Sequence, residues 1–126
     1  MNSEAQVLTF VFTDIEGSTR LLRRLHDEYA RLLDEHHALL DKEFRAGGGR
    51  RLAAEGDGGF FVFDSSAHAV RAAVSAQQAL ERHPWPAGVR VRVRMGMHTG
   101  EAVESGPNTY VGLAVHLAAR ISALGR

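Results

Sequence analysis

The 126 residues suit one domain and are too few for two of ordinary size. A composition of 44% hydrophobic and 24% charged residues is globular, and fifteen basic against fifteen acidic residues exclude a global attraction to nucleic acid or anionic membrane. There is no cysteine, which excludes a disulfide scaffold, a Cys-type zinc finger and a thiol nucleophile. The longest mostly apolar run, residues 7–12, is strand-sized, and no basic region precedes an apolar stretch at the N-terminus. No membrane span is expected, and the expected compartment is the cytosol.

In chain order, residues 7–13 are rich in β-branched and aromatic side chains and predict a buried strand. It runs into the polar turn Asp14-Ile15-Glu16-Gly17-Ser18-Thr19, where Ser18 or Thr19 can cap a helix. Leu22, Leu25, Tyr29, Leu32, Leu33, His36, Leu40 and Phe44 then predict one long amphipathic helix, stopped by Gly47-Gly48-Gly49. Residues 50–54 and 59–63 predict two strands joined by a tight turn at Glu55-Gly56-Asp57-Gly58. A second helix follows the caps Asp64-Ser65-Ser66, with Val70, Ala73, Val74, Gln77 and Leu80 as its apolar face, and ends at His83-Pro84. Residues 89–95 alternate strictly and predict a strand with one polar face bearing Arg90, Arg92 and Arg94. His98-Thr99-Gly100 predicts a turn or bulge, 101–103 a short strand, 104–108 a loop, and the residues from Gly112 a third helix. The order β-α-β-β-α-β with an added strand and helix predicts a ferredoxin-like sandwich, an antiparallel sheet with two helices on one face.

Two acidic residues interrupt apolar settings. Asp14 stands where the first strand runs out and Asp57 at the hairpin tip, and the proposed fold makes these elements neighbours in the sheet centre. Paired carboxylates repel unless a cation lies between them, and hard oxygen ligands favour Mg²⁺ or Mn²⁺. Turn capping is the ordinary use of Asp, and on spacing alone the two readings stand level. The 15–19 turn opens a helix, where backbone N–H groups can hold a phosphate. The histidines fit bland roles: His36 and His37 at a helix surface or interface, His26, His68 and His83 at the surface, His98 structural at its turn. The arginine row fits a solvated strand or a dimer contact.

These residues carry a resemblance. Phe12-Thr13-Asp14-Ile15-Glu16-Gly17-Ser18-Thr19 is similar to the first metal motif of the class III nucleotidyl cyclases, the adenylate and guanylate cyclase catalytic domain family. Gly56-Asp57-Gly58 resembles the second metal motif, residues 95–100 the Gly-x-His-x-Gly segment, and residues 111–120 the segment bearing transition-state residues. The resemblance implies cyclisation of a nucleoside triphosphate, ATP favoured, with two Mg²⁺ or Mn²⁺ ions per site. It gives Asp14, Asp57 and the Ile15 carbonyl to the metals, residues 15–19 to the phosphates and Arg120 to the charge on the α-phosphate. It also implies a head-to-tail homodimer, with the aspartates from one chain and the arginine from the other.

The chain departs from the family at three places. Ala53 stands where active adenylate cyclases carry an adenine-reading lysine, and Glu55 is expected on the other face of its strand. The sole lysine, Lys42, lies on the long helix. The second base-reading position falls on Thr109, which fits, whereas His116 replaces the asparagine that orients the ribose. The family's C-terminal strands and a further phosphate lysine are absent from residues 1–126. The expectation is retained metal binding with weak turnover, or a degenerate cyclase-homology module that binds nucleotide, dimerises or regulates.

Overall fold

The apolar run near the N-terminus becomes the centre of the sheet. The structure, a computed structural model, describes residues 4–107, 109–112 and 115, without the side chain of Glu55. Its elements are β1 (Gln6–Ile15), α1 (Ser18–Leu25), α2 (Glu28–Ala46), β2 (Arg50–Glu55), β3 (Gly58–Phe63), α3 (Ser66–Arg82), β4 (Val93–Gly106) and β5 (Thr109–Val111), with a 3₁₀ turn at Pro86–Gly88. The strands lie in the order β2-β3-β1-β4-β5, every neighbouring pair antiparallel. This is the ferredoxin-like arrangement that the element order predicts.

Alternation along β1 divides the core between two faces. Val11 and Ile15 face α2 and α3, where they join Phe61, Phe63, Leu32, Leu40, Phe44 and Trp85. Leu8 and Phe10 face the other side, joined by Val62 and Ala102 and partly covered by Phe12, Phe60, Tyr110 and Val115. Asp14 belongs to this second face. No helix among the described residues is long and apolar enough to cross a membrane.

The structure corrects four expectations. The long helix is two: His26 takes φ 51°, its N–H closes α1 on the Leu22 carbonyl, and Tyr29 N–H starts α2 on the His26 carbonyl. Leu25 and Leu32 are buried on either side of the break, so apolar periodicity runs straight across it. Secondly, α1 begins on Gly17, with no side-chain cap from Ser18 or Thr19. Thirdly, α3 buries Ala69, Ala72, Ala73, Ala76 and Leu80, while Val70 and Val74 are about half exposed. Alanines let this helix approach its neighbours closely; the valines would hold it off. Lastly, His98-Thr99-Gly100 does not turn but continues β4, with Thr99 opposite Thr9 and their hydroxyls 2.8 Å apart. Gly96 and Gly100 stand opposite Phe12 and Leu8 in the ladder. Residues 89–92 keep the predicted alternation, Val89 and Val91 buried and Arg90 and Arg92 exposed, but the ladder starts only at Val93. Of the predicted third helix, the described residues include only Gly112 and Val115.

Candidate functional site

The two acidic residues meet at the end of β1. A two-residue turn, Gly56-Asp57, joins β2 to β3, with Gly56 at φ 57°, a conformation open to glycine. It places Asp57 so that its Oδ2 accepts the Ile15 backbone N–H at 2.9 Å. Asp57 thus lies against the residue following Asp14. Asp14 is 4% exposed and sits opposite Arg94 in the β1–β4 register. Arg94 grips both of its oxygens, Nε to Oδ1 at 2.8 Å and a terminal nitrogen to Oδ2 at 3.1 Å. The bond to Asp14 foremost, with the charges of Asp14, Glu16 and Asp57 adding, pushes the guanidinium pKa up against the opposing pull of desolvation. Arg94 therefore leaves the solvated row expected of it, since strand pairing turns its side chain onto the carboxylate.

The turn after β1 presents backbone rather than side chains. Gly17 adopts φ 68° and no side chain caps the first amides of α1. Glu16 N–H bonds the Arg92 carbonyl at 2.8 Å, which fixes the turn to the segment before β4. Burial, and then the charge of Asp57, raises the pKa of Tyr29 on α2, while Ser18 pulls it the other way. The exposed Glu16 carboxylate is the one feature of the turn that disfavours an anion.

Beneath the hairpin, α2 supplies two histidines that the sequence assigns to a helix surface or interface, His36 also falling in the apolar stripe. His36 is fully buried with neither ring nitrogen hydrogen-bonded, and burial foremost, with His37 adding, lowers its pKa to about 4 against the opposing pull of Asp57. His37 meets the Gly56 carbonyl with Nε2 at 2.8 Å. No spacing in the sequence marks either histidine for this place, because the roles of both depend on the hairpin that packs opposite them. His83, also expected at the surface, is half-buried and bonds Glu35 at 2.6 Å, which lowers the Glu35 pKa. His98 is in β4 opposite Phe10.

The remaining candidates lie on other elements. Ala53 is exposed on edge strand β2 opposite Phe60, and Thr109 is exposed at the start of β5, its hydroxyl donating to the Pro107 carbonyl at 3.2 Å. Arg50 on β2 donates to the Tyr110 hydroxyl at 2.6 Å, so β2 and β5, which carry Ala53 and Thr109, are tied across the open face. His116 and Arg120 lie outside the described residues. A groove of about 850 Å³ between α3 and residues 89–95 reaches the candidate set only at Glu16.

Asp14 and Asp57, with the Ile15 carbonyl, form an all-oxygen set that suits a hard divalent cation. Among the described residues no cluster of three or more acidic, His or Cys side chains forms a complete cage. Two carboxylates are enough for Mg²⁺ or Mn²⁺, which keep waters and bind together with substrate phosphates. Arg94 already places one positive charge on Asp14, as a cation would.

The sequence profile of the adenylate and guanylate cyclase catalytic domain matches residues 1–109. The chain belongs to that family. The serine/threonine-protein kinase pkn2 of Myxococcus xanthus is 36% identical over 110 residues, 85% of this chain and 13% of that protein. An adenylate cyclase of Podospora anserina is 29% identical over 141 residues, 93% of this chain and 7% of that one. The chain thus spans only a small part of the curated relatives it matches. The solved structure of an adenylate/guanylate cyclase/hydrolase from Silicibacter pomeroyi superposes with a TM-score of 0.76 at 29% identity, over 96% of this chain and 72% of that one. A cyclase domain's ferredoxin-like fold accordingly underlies the candidate site.

Proposed function

We propose that this cyclase domain closes a nucleoside triphosphate, ATP in first place, to its 3′,5′-cyclic form at a site shared by two copies arranged head to tail. The observation that carries the reading is the meeting of Asp57 with the Ile15 amide beside Asp14. Two bound divalent cations would supply the Lewis acidity that makes the 3′-hydroxyl a nucleophile and stabilises the leaving pyrophosphate. Asp14, Asp57 and the Ile15 carbonyl hold that charge in place. The first amides of α1, left without a side-chain cap, receive phosphate oxygens. With a cation held there, Asp14 would be free of Arg94, and the guanidinium on β4 would be available to the phosphates. Arg120 of the second copy meets the charge that develops at the α-phosphate, and Thr109 contacts the base. In the reaction the 3′-oxygen bonds the α-phosphorus, the bond to the β-phosphate bridging oxygen breaks, and the hydroxyl proton passes to solvent.

Turnover is weak in this reading, because Ala53 offers a methyl group where the base needs a hydrogen-bond partner and His116 is a bulkier donor than asparagine. Ala53 also favours a second reading, a cyclase-homology module that binds the metal–nucleotide complex for dimerisation or regulation in cyclic-nucleotide signalling. A cyclase assay with ATP and GTP in Mn²⁺ tests the two. Slow turnover lost in Asp14→Ala and Asp57→Ala supports the first; Mn²⁺–ATP binding with no product supports the second. Product formation that survives Asp14→Ala would remove the site altogether.

A further inference from the structure

The tip of the β2–β3 hairpin, which carries Asp57, is open at Gly56. No atom lies within 4 Å of where a side chain would begin at Gly56. Beyond its own strand ladder, two hydrogen bonds tie the tip to the rest of the described chain: Ile15 N–H to Asp57 Oδ2 at 2.9 Å, and His37 Nε2 to the Gly56 carbonyl at 2.8 Å. A carbonyl only accepts, so His37 donates from Nε2. The bond from Ile15 ends on the carboxylate itself, where a bound cation competes for the same oxygen. The bond from His37 ends on backbone and is untouched by such competition. His37 is also held from behind, because the fully buried ring of His36 lies 4.7 Å away.

We propose that His37 is a positioning residue that sets the height of the Asp57 hairpin from α2 and thereby the affinity of the site for a divalent cation; the cation clause rests on the cyclase reading above. The logic is that of groups behind a metal ligand, which fix its orientation without touching the metal, and whose loss costs roughly 10–100-fold in affinity. His37→Phe keeps a flat ring and removes the donor, whereas His37→Gln returns an N–H at a similar reach.

Two measurements on the whole chain separate this proposal from the reading beneath it. Amide exchange at Ile15 reports where the Asp57 carboxylate stands, with no metal involved. Titration with Mn²⁺ alone reports the site. We expect His37→Phe to speed exchange at Ile15 about tenfold and to weaken Mn²⁺ by about tenfold, with Tm little changed and His37→Gln near wild type in both. Unaltered Ile15 exchange in His37→Phe overturns the positioning role, whatever the metal does. Faster exchange in a protein whose wild type shows no Asp57-dependent Mn²⁺ binding upholds the positioning role and overturns the cation reading instead.

Discussion

Asp14 is almost wholly removed from water, and a carboxylate in that position needs strong partners. Arg94 supplies two hydrogen bonds, so under the proposed reading the guanidinium and a cation would be rivals for the same oxygens in the free chain. Replacing Arg94 with Met, which keeps the stem and removes the charge, is expected to tighten Mn²⁺ binding several-fold without nucleotide and to weaken nucleotide triphosphate binding. Calorimetric titration with each ligand checks both signs; weaker Mn²⁺ binding would show that Arg94 is no rival. His36 makes a different prediction. Its folded pKa of about 4 lies below the ordinary 6.5, so the unfolded chain takes up a proton first as pH falls. The stabilisation from the neutral ring is complete above pH 6.5 and is lost between about 6.5 and 4, up to roughly 3 kcal/mol. Urea unfolding across that window should show the loss in wild type and not in His36→Leu. Asp14 and Asp57 could be picked out from sequence because each stands out in an apolar or glycine setting. Arg94, His36 and His37 could not, since their roles depend on which strand or hairpin lies opposite.

At the scale of elements, strands and stops were legible and faces were less so. Three glycines end α2 and Ser65 caps α3, accepting from His68 N–H at 3.3 Å, both as local chemistry dictates. The face of α3 was misread because hydrophobicity ranks valine above alanine, whereas helix–helix approach selects the smaller side chain. Ala76 is fully buried and Val74 about half exposed. Ala76→Leu is therefore expected to destabilise by about 1–3 kcal/mol through overpacking. Val74→Ser, on the outer face, should change stability by less than about 0.5 kcal/mol. Equal effects in thermal unfolding would restore the valine face. The break at His26 and the continuity of β4 through Gly100 belong to the same class: periodicity cannot show a redirection that leaves the buried stripe in phase.

For the whole molecule, the division of the site between elements bears on assembly. Asp14, Asp57 and the 15–19 turn gather at one end of β1, while Ala53 and Thr109 lie on β2 and β5, the strands that Arg50 and Tyr110 tie together. In the proposed head-to-tail dimer each chain would lend one set to its partner's other set. Mixing Asp14→Ala with Arg120→Ala chains should therefore restore about a quarter to a half of wild-type cyclase activity, because a heterodimer rebuilds one intact site. Activity in no mixture, from chains that dimerise normally, would rule out the shared arrangement. The sequence by itself determined the β-α-β-β-α-β order, the Gly-Asp-Gly hairpin and the family, because these depend on local periodicity, turn chemistry and short motifs. Only the tertiary structure decided that Asp57 reaches the Ile15 amide, that Arg94 holds Asp14 and that His37 holds the hairpin. Each of those contacts joins residues 19 to 80 positions apart, and only register and packing bring them together.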